Sequence, residues 1–217
     1  MVHVGFDLPD LRAGRQRGDV LVVVDVLSFA TAAAAGTERG VVFFPAGSRR
    51  RAAALALERD AVASVPRSEM RPGEYSLSPL SYAAAPAGLR VALRSPNGAR
   101  MAVAAQGAPA VIVAGLVNAA ACGERTPESG RRRRFAAEDF LGAGAVAAAV
   151  DLPRTGEAEA AARAFEACRG DLAEVLLQTR SGFALVNAGF RDDVLFAARV
   201  DSISAVPLLR DGELRGR

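Results

Sequence analysis

The 217-residue chain has little of what many enzymes rely on: it contains one histidine, two cysteines and no lysine. A zinc site built from imidazoles and thiolates would lack ligands. A serine, histidine and aspartate triad would have to use His3, next to the start of the sequence, and is a poor candidate. Chemistry in this chain therefore has to use carboxylates, arginines, hydroxyls and amides, with a hard metal ion as the one metal that suits them.

The sequence also lacks an apolar run of about 20 residues, the length that a membrane-spanning helix needs. Its first residues have neither the basic region nor the apolar region of a signal peptide. Two cysteines, Cys122 and Cys168, are too few for a disulfide framework and fit a reducing compartment. We therefore expect a cytoplasmic protein that has no membrane partner.

All 27 basic residues are arginine, and the net charge is +3. Because alanine is also in excess, this pattern is typical of genomic composition bias and is weak evidence for nucleic acid binding. One basic cluster occurs, at Arg131 to Arg134. No aromatic residues are interleaved with it, which favours a solvated loop over an anion clamp or a nucleic-acid patch. We expect no nucleic acid partner.

Apolar runs that are typical of buried strands alternate with helical patterns along the chain. Strands are predicted at 19–27, 41–46, 61–65, 89–95, 110–116 and 192–200. Helices are predicted at 28–39, 48–60, 99–106, 136–150, 156–169 and 171–189, and a long Pro- and Ser-rich loop at 66–88. This alternation predicts an α/β fold, three-layer α/β/α with a mostly parallel sheet, in a single domain over residues 1–217.

Three candidate motifs lie where a predicted strand leads into a helix, the place where α/β proteins bind their ligands. Asp25 stands among valines, and a buried carboxylate is normally paired, hydrogen-bonded or bound to a metal. In "SPNGA", Gly98 permits a close approach of the backbone ahead of a helix N-terminus, and Asn118 follows the strand at 110–116. Each has a structural alternative: a satisfied acid, a common turn and a helix cap.

Two adjacent acids, Glu138 and Asp139, begin a predicted helix. Alone they are explained by the favourable interaction of negative charge with a helix N-terminus. With Asp25 as a third acid, a hard cation such as Mg²⁺ becomes a candidate, because it prefers oxygen ligands and needs only one or two carboxylates. Arg94 and Arg125 are candidates to hold an anionic substrate.

Seven short motifs occur in a specific order: "VVVDVLSFATA" with "ERG", "YSLSPLSY", "SPNGA", "VAGLVNAAA", "GER", "AAEDFLGAGAV" and "SGFALVNAGFRDDVLFAARVD" with "AVP". In these motifs the chain resembles the 2-phosphosulfolactate phosphatase family, the Mg²⁺-dependent phosphatases of coenzyme M biosynthesis, and is most similar to its divergent bacterial members. Asp193 matches the acid of the family's final strand. The resemblance implies a phosphoric monoester hydrolase that acts on a small anionic phosphate ester, with Mg²⁺ as cofactor.

The resemblance also assigns roles to residues of this chain. Implied for catalysis are Asp25, Asn97, Glu138 and Asp139, with Asp25, Glu138 and Asp139 as metal ligands. Implied for substrate binding are Ser28, Ser95, Gly98, Asn118 and Arg125. In ordinary phosphoryl-transfer logic, the metal neutralises the ester, arginines and amides orient it, and water attacks in line.

The chain departs from the family pattern at several places. The family has arginine after "DVL", where this chain has Ser28 and Phe29, and a Gly-Asn pair where it has Ser76 and Leu77. A helix and a strand that usually precede "GER" are missing after Ala121, which predicts an unfilled slot in the sheet or a closing up of its neighbours. This gap supports an alternative, a non-catalytic homologue that binds an anionic metabolite or a partner protein. The sequence leaves homo-oligomer formation open.

Overall fold

The computed structural model describes residues 1–5, 8–123 and 136–216. Within them, the strands are β1 (Leu21–Val24), β2 (Val42–Ala46), β3 (Val62–Ala63), β4 (Arg90–Arg94), β5 (Val111–Ala114), β6 (Leu208–Arg210) and β7 (Glu213–Arg215). The helices are α1 (Leu8–Arg17), α2 (Phe29–Glu38), α3 (Arg49–Glu58), α4 (Gly98–Ala105), α5 (Ala119–Gly123), α6 (Ala137–Ala149), α7 (Gly156–Cys168), α8 (Leu172–Gln178), α9 (Arg180–Asn187) and α10 (Arg191–Ala197). None of these helices is long and apolar enough to span a membrane.

The seven strands form one sheet in the order β1-β5-β6-β7-β2-β4-β3. β1 pairs in parallel with β5, and β4 pairs in parallel with both β2 and β3. Between these two parallel blocks lies the antiparallel hairpin of β6 and β7, which turns at Asp211 and Gly212, both with positive φ. The predicted α/β fold with a mostly parallel sheet is confirmed, and the hairpin is an element that the sequence patterns did not predict.

Alternate residues of each strand face different helices, which explains why the strands read as continuous apolar runs. Leu21 and Val23 of β1 pack in a core with α2 and α4, and Phe43 of β2 faces the same core. On the opposite face, Val22 and Val24 pack against a core that α6 and α7 contribute to. The opposite face of β2 packs on α3. Helices thus cover both faces of the sheet, as predicted for three layers.

Two predicted elements near the end of the sequence are wrong. The segment predicted as a strand at 192–200 forms helix α10, which buries Val194 and Ala197 on one face. Asp192 and Asp193 lie in its first turn, where negative charge favours a helix. The single helix predicted at 171–189 is two helices, because Thr179 ends α8 and its hydroxyl caps α9 by accepting a hydrogen bond from the Gly182 amide.

The sheet has no unfilled position between its described strands, although the chain lacks the segment expected after Ala121. Hydrogen bonding is continuous from β1 to β3, with the hairpin between β5 and β2. Helix α5 packs directly on α6, so closely that a Cβ on Gly123 would lie 2.6 Å from the Ala149 side chain. An unfilled slot, the first of the two expected outcomes, is therefore absent among the described strands, and a closing up of neighbouring elements stays a prediction.

Candidate active site

Asp25 lies directly after β1, and its carboxylate contacts the first residues of two helices. Its Oδ1 accepts a hydrogen bond from the Phe29 amide of α2 at 3.1 Å, and its Oδ2 accepts one from the Gly98 amide of α4 at 2.8 Å. The side chain of Asp25 is buried. Since the positive ends of both helix dipoles meet there, the carboxylate satisfies two amides that no residue within the helices can pair.

Gly98 allows this contact because it has no side chain. A Cβ at this position would lie 2.5 Å from Asp25 Oδ2 and 2.5 Å from Cδ1 of Phe29. Such distances are too short for any other residue without a shift of the helix. In the structure Gly98 therefore contacts Asp25. Its role in substrate binding stays a prediction.

Glu138 and Asp139 lie in the first turn of α6, next to the segment that follows β1. Asp139 Oδ1 accepts a hydrogen bond from the Val26 amide at 2.8 Å, which links α6 to the Asp25 turn. Glu138 is 4% exposed. Among the described residues, neither its carboxylate nor Asp139 Oδ2 has a hydrogen-bond partner. The structure thus brings three predicted site acids together and leaves oxygen atoms of two of them available.

Burial raises the pKa of Asp25 and the pKa of Asp139. For Asp25 the loss of hydration is the largest cause; the amides of Phe29 and Gly98 oppose it, the charge of Glu138 adds to it and the charge of Arg67 opposes it. For Asp139 burial again comes first and the charge of Asp25 second, and its pKa lies well above the ordinary value. The acids therefore repel one another, and a bound cation would relieve that repulsion.

Arg67 is the site residue that the sequence patterns did not reveal. Its Nε donates to Asp193 Oδ2 at 2.7 Å, and its Nη2 donates to Ser28 Oγ at 2.5 Å and to the Leu77 carbonyl at 2.7 Å. Ser78 Oγ donates to Asp193 Oδ1 at 2.6 Å. The guanidinium is thereby fixed, with Nη1 the nitrogen that has no hydrogen-bond partner among the described residues.

This arrangement places a positive charge beside Ser28, although the residues that follow Leu27 in the sequence carry none. No arginine follows Leu27, but Ser28 contacts the guanidinium of Arg67, which the chain supplies from a short 3-10 turn at Arg67–Glu69. The signal that could have led to it was Asp193, a buried acid that needs a partner. Nothing in the spacing of the loop at 66–88 distinguished this arginine from its neighbours.

Asn118 is fully buried and is held by backbone groups. Its Oδ1 accepts from the Gly115 amide at 2.9 Å, and its Nδ2 donates to the Ala205 carbonyl at 3.1 Å. These contacts connect the end of β5 to the segment that leads into the hairpin. They explain the residue without a substrate, so its substrate-binding role stays a prediction.

The loop after β4 carries three further candidates. Ser95 is 2% exposed, and its Oγ accepts from the Asn97 amide at 3.4 Å. The side chain of Asn97 makes no capping hydrogen bond to α4, and the residue is exposed. Arg94 Nε is buried without a hydrogen-bond partner, so a donor is available at this end of the strand. Arg125 and the cluster Arg131–Arg134 lie outside the described residues.

The described acids offer the oxygen ligands that Mg²⁺ prefers, but they do not form a complete set of protein ligands for it. In the part of the chain that the structure describes, no three histidine, cysteine, aspartate or glutamate side chains are arranged to hold one ion. Both oxygens of Asp25 accept amide hydrogen bonds. The available oxygens belong to Glu138 and Asp139, and two carboxylates completed by waters suit Mg²⁺.

Fold and site together define an α/β protein with buried acids beside a fixed arginine, an arrangement suited to binding a charged ester. A family model described as 2-phosphosulpholactate phosphatase matches residues 6–212, nearly the whole chain. The chain therefore belongs to the 2-phosphosulfolactate phosphatase family, a family of phosphoric monoester hydrolases.

Curated relatives agree with this family. Over 215 residues the chain is 31% identical to a probable 2-phosphosulfolactate phosphatase of Carboxydothermus hydrogenoformans. This match covers 89% of this chain and 88% of the relative. The chain is 32% identical over 131 residues to one of Gloeobacter violaceus, with 56% of each chain covered. A third, of Symbiobacterium thermophilum, is 32% identical over 152 residues, with 63% of this chain and 65% of the relative covered.

Proposed function

We propose that this protein is a Mg²⁺-dependent phosphatase that hydrolyses a small anionic phosphate ester. The proposed substrate is 2-phosphosulfolactate or a similar compound, and hydrolysis of 2-phosphosulfolactate would give 3-sulfolactate and phosphate. The observation that carries the proposal is the joining of two helix N-termini by Asp25, with the carboxylates of Glu138 and Asp139 near it and the guanidinium of Arg67 acting on it. Family membership gives the reaction class.

Three groups of the chain would bind and orient the ester. Nη1 of Arg67, held rigid through Asp193, would pair with an anionic oxygen. Arg94 Nε, a buried donor without a partner, would donate a hydrogen bond to a second anionic group. Ser95 and Asn97, at the start of α4, would complete the phosphate cradle, because a helix N-terminus favours negative charge.

The acids would supply the metal site and the attacking water. Glu138 and Asp139 would hold Mg²⁺, which neutralises charge on a phosphoryl group and lowers the barrier to attack by water. Asp139 Oδ1 is fixed by the Val26 amide, so its Oδ2 has a defined position from which to orient that water. Asp25 would act by fixing the two helix starts relative to α6. The oxygen of the attacking water would bond to phosphorus as the ester P–O bond breaks. One proton of that water would go to the leaving alkoxide, so that the products are the alcohol and inorganic phosphate.

A second function, binding without turnover, is favoured by one observation. Both oxygens of Asp25 are occupied by amides, and no three-ligand metal cluster exists in residues 1–5, 8–123 and 136–216. A homologue that holds an anionic metabolite through Arg67 and Arg94 would need no metal. The two functions differ in whether phosphate is released.

The test is phosphate release from a panel of 2-phospho acids, including 2-phosphosulfolactate and phospholactate, with Mg²⁺ and with EDTA. We expect EDTA-sensitive release from at least one compound, and its loss in Glu138→Gln. Asp151→Asn, an exposed acid away from the site, serves as the matched control and should retain activity. Binding of a panel member without release, by a folded protein with Mg²⁺ present, would favour the second function.

A further inference from the structure

A large groove lies apart from the acids of the candidate site. Its volume is about 1120 Å³, and it is bordered by α1, α3, α4 and the turn of the β6–β7 hairpin. None of the acids described above, nor Arg67, Ser95 or Asn97, lines it. The groove is therefore a separate feature of the surface, as large as pockets that hold drug-sized ligands and cofactors.

Arginines dominate the rim of this groove. The five are Arg12, Arg51, Arg59, Arg100 and Arg210, whereas Asp211 is the one acid among the lining residues. Over the described residues, Arg12, Arg100 and Arg210 form no ion pair or hydrogen bond. Arg51 pairs with Glu58 at 2.8 Å, and Arg59 lies 3.9 Å from Glu213. The three arginines without partners create a positive potential that attracts anions.

The backbone adds to this potential. Helix α3 starts beside the groove, where Gly47 and its N-cap residue Ser48 are lining residues. The ten-residue helix directs its positive dipole end to the same space. The stem of Arg100 crosses Gly47 so closely that a Cβ there would lie 2.6 Å from its Cγ, which holds the arginine over the helix start.

The floor of the groove is apolar. Leu55, Val111 and Leu209 are buried there, and Val103 of α4 remains 43% exposed. A site for a simple inorganic anion would gain nothing from this floor. A ligand with a flat apolar body and several negative charges would use both the floor and the rim.

We propose that this groove binds a nucleotide, with its base on the apolar floor and its phosphates between the arginines and the start of α3. This site is independent of phosphate ester hydrolysis at the acids. It gives the protein a place for a regulatory ligand or a second substrate outside the catalytic cleft.

Isothermal titration with ATP in EDTA tests the proposal, because EDTA keeps Mg²⁺ out of the acid site and the groove variants below show which of the two sites binds the ATP. We expect saturable one-to-one binding, and weaker binding of both adenosine and inorganic triphosphate, each of which lacks half of the recognised chemistry. In the double variant Arg12→Gln/Arg210→Gln, affinity for ATP should fall roughly tenfold or more, the loss expected for charge-assisted hydrogen bonds. Arg39→Gln, an exposed arginine outside the groove, is the matched control and should bind as the parent protein does.

Other results would overturn the proposal. They are an absence of saturable binding, equal affinity in the double variant, inorganic triphosphate binding as well as ATP, and tighter binding of short single-stranded RNA. Asp25→Asn should bind ATP normally even though we expect it to lose phosphatase activity. Failure of the groove proposal and failure of the proposed function therefore give different results.

Discussion

At the scale of single residues, Asp25 is the position where one change disturbs most of the site. Asparagine has almost the same shape, but its amide nitrogen would face either the Phe29 or the Gly98 amide, both of which are donors. One buried N–H would then lack an acceptor, which costs about 1–3 kcal/mol. We expect Asp25→Asn to lower the melting temperature and to reduce Mg²⁺-dependent phosphate release at least tenfold. Unchanged turnover at saturating substrate would contradict the role given to this carboxylate.

Gly98 offers a steric test of the same contact. In Gly98→Ala the new methyl group would collide with Asp25 Oδ2 and Phe29, so the start of α4 must move. We expect a loss of about 1–3 kcal/mol, the usual cost of overpacking a dense interior, together with reduced activity. Gly156→Ala is the control, because a Cβ there meets no atom within 4 Å and the position has ordinary φ. Equal unfolding curves for the two variants would count against the close approach.

Asp139 should show stability and activity changing in opposite directions. Burial raises its pKa well above the ordinary value, so between those two values the folded protein binds more protons than the unfolded chain. Stability therefore falls as pH rises through that range. Asp139→Asn keeps an oxygen for the Val26 amide and removes the charge, so in EDTA we expect a higher melting temperature at neutral pH and lost activity. The difference in melting temperature between Asp139→Asn and the parent protein should shrink at acidic pH. Thermal unfolding measured at several pH values checks this.

Asp151→Asn is the control for that experiment, because Asp151 is an exposed acid. A stability gain equal to that of Asp139→Asn would mean that net charge, and not burial of one carboxylate, is responsible. A melting temperature of Asp139→Asn below that of the parent protein at every pH would contradict the prediction.

At the scale of elements, the pair of Arg67 and Asp193 connects α10 to the loop at 66–88. The side chains are 13% and 3% exposed, and removing one partner of a buried ion pair leaves the other charge unpaired. In Asp193→Asn we expect a loss of about 3 kcal/mol or more, and a raised KM with a smaller change in kcat, because the guanidinium that holds substrate is no longer fixed. The exposed neighbour in Asp192→Asn should change neither value. A KM equal to that of the parent protein would remove Arg67 from substrate binding.

Elements show where sequence patterns succeed and where they fail. The sequence predicts β1, β2, β4 and β5 because each is a continuous apolar run. The runs are continuous because helices cover both faces of these strands. The same rule gives a wrong prediction for residues 191–197, because the apolar run "VLFAA" is typical of a strand although the segment forms a helix. Their helix follows from the burial of Val194 and Ala197 on one face and from the contact of Asp193 with Arg67, neither of which is local information.

The site divides in a similar way. Asp25 and Gly98 stand out in the sequence because each lies at a junction of strand and helix. Glu138 and Asp139 stand out as adjacent acids at the start of a helix, and the structure brings these residues together. Arg67 does not stand out, because its role depends on partners far away along the chain. Asn118 stands out for position, but its hydrogen bonds to Gly115 and Ala205 give it a structural explanation.

At the scale of the whole molecule, the hairpin of β6 and β7 joins the two parallel blocks of the sheet. Leu214 is fully buried and pairs with Phe43 of β2, which joins β7 to that block in antiparallel register. We expect Leu214→Ala to cost about 2–5 kcal/mol, the range for large-to-small changes in a core. The loss should appear in one cooperative urea transition, because the hairpin belongs to the sheet and not to a separate unit.

Leu57→Ala is the matched control for the hairpin. Leu57 is 88% exposed, and surface changes of this kind usually stay within about 0.5 kcal/mol. If Leu214→Ala unfolded in two steps, with the first step alone shifted, the hairpin would be an independent appendage and the sheet would be stable without it.

The position of the hairpin also bears on how the protein is made. Translation delivers β1 to β5 before β6 and β7, so a chain still emerging from the ribosome has both parallel blocks but nothing to pair with β5 and β2 between them. Open strand edges of this kind are templates for association with other chains. We therefore expect a nascent chain whose parallel blocks have formed to expose open strand edges until the hairpin is synthesised and pairs with them.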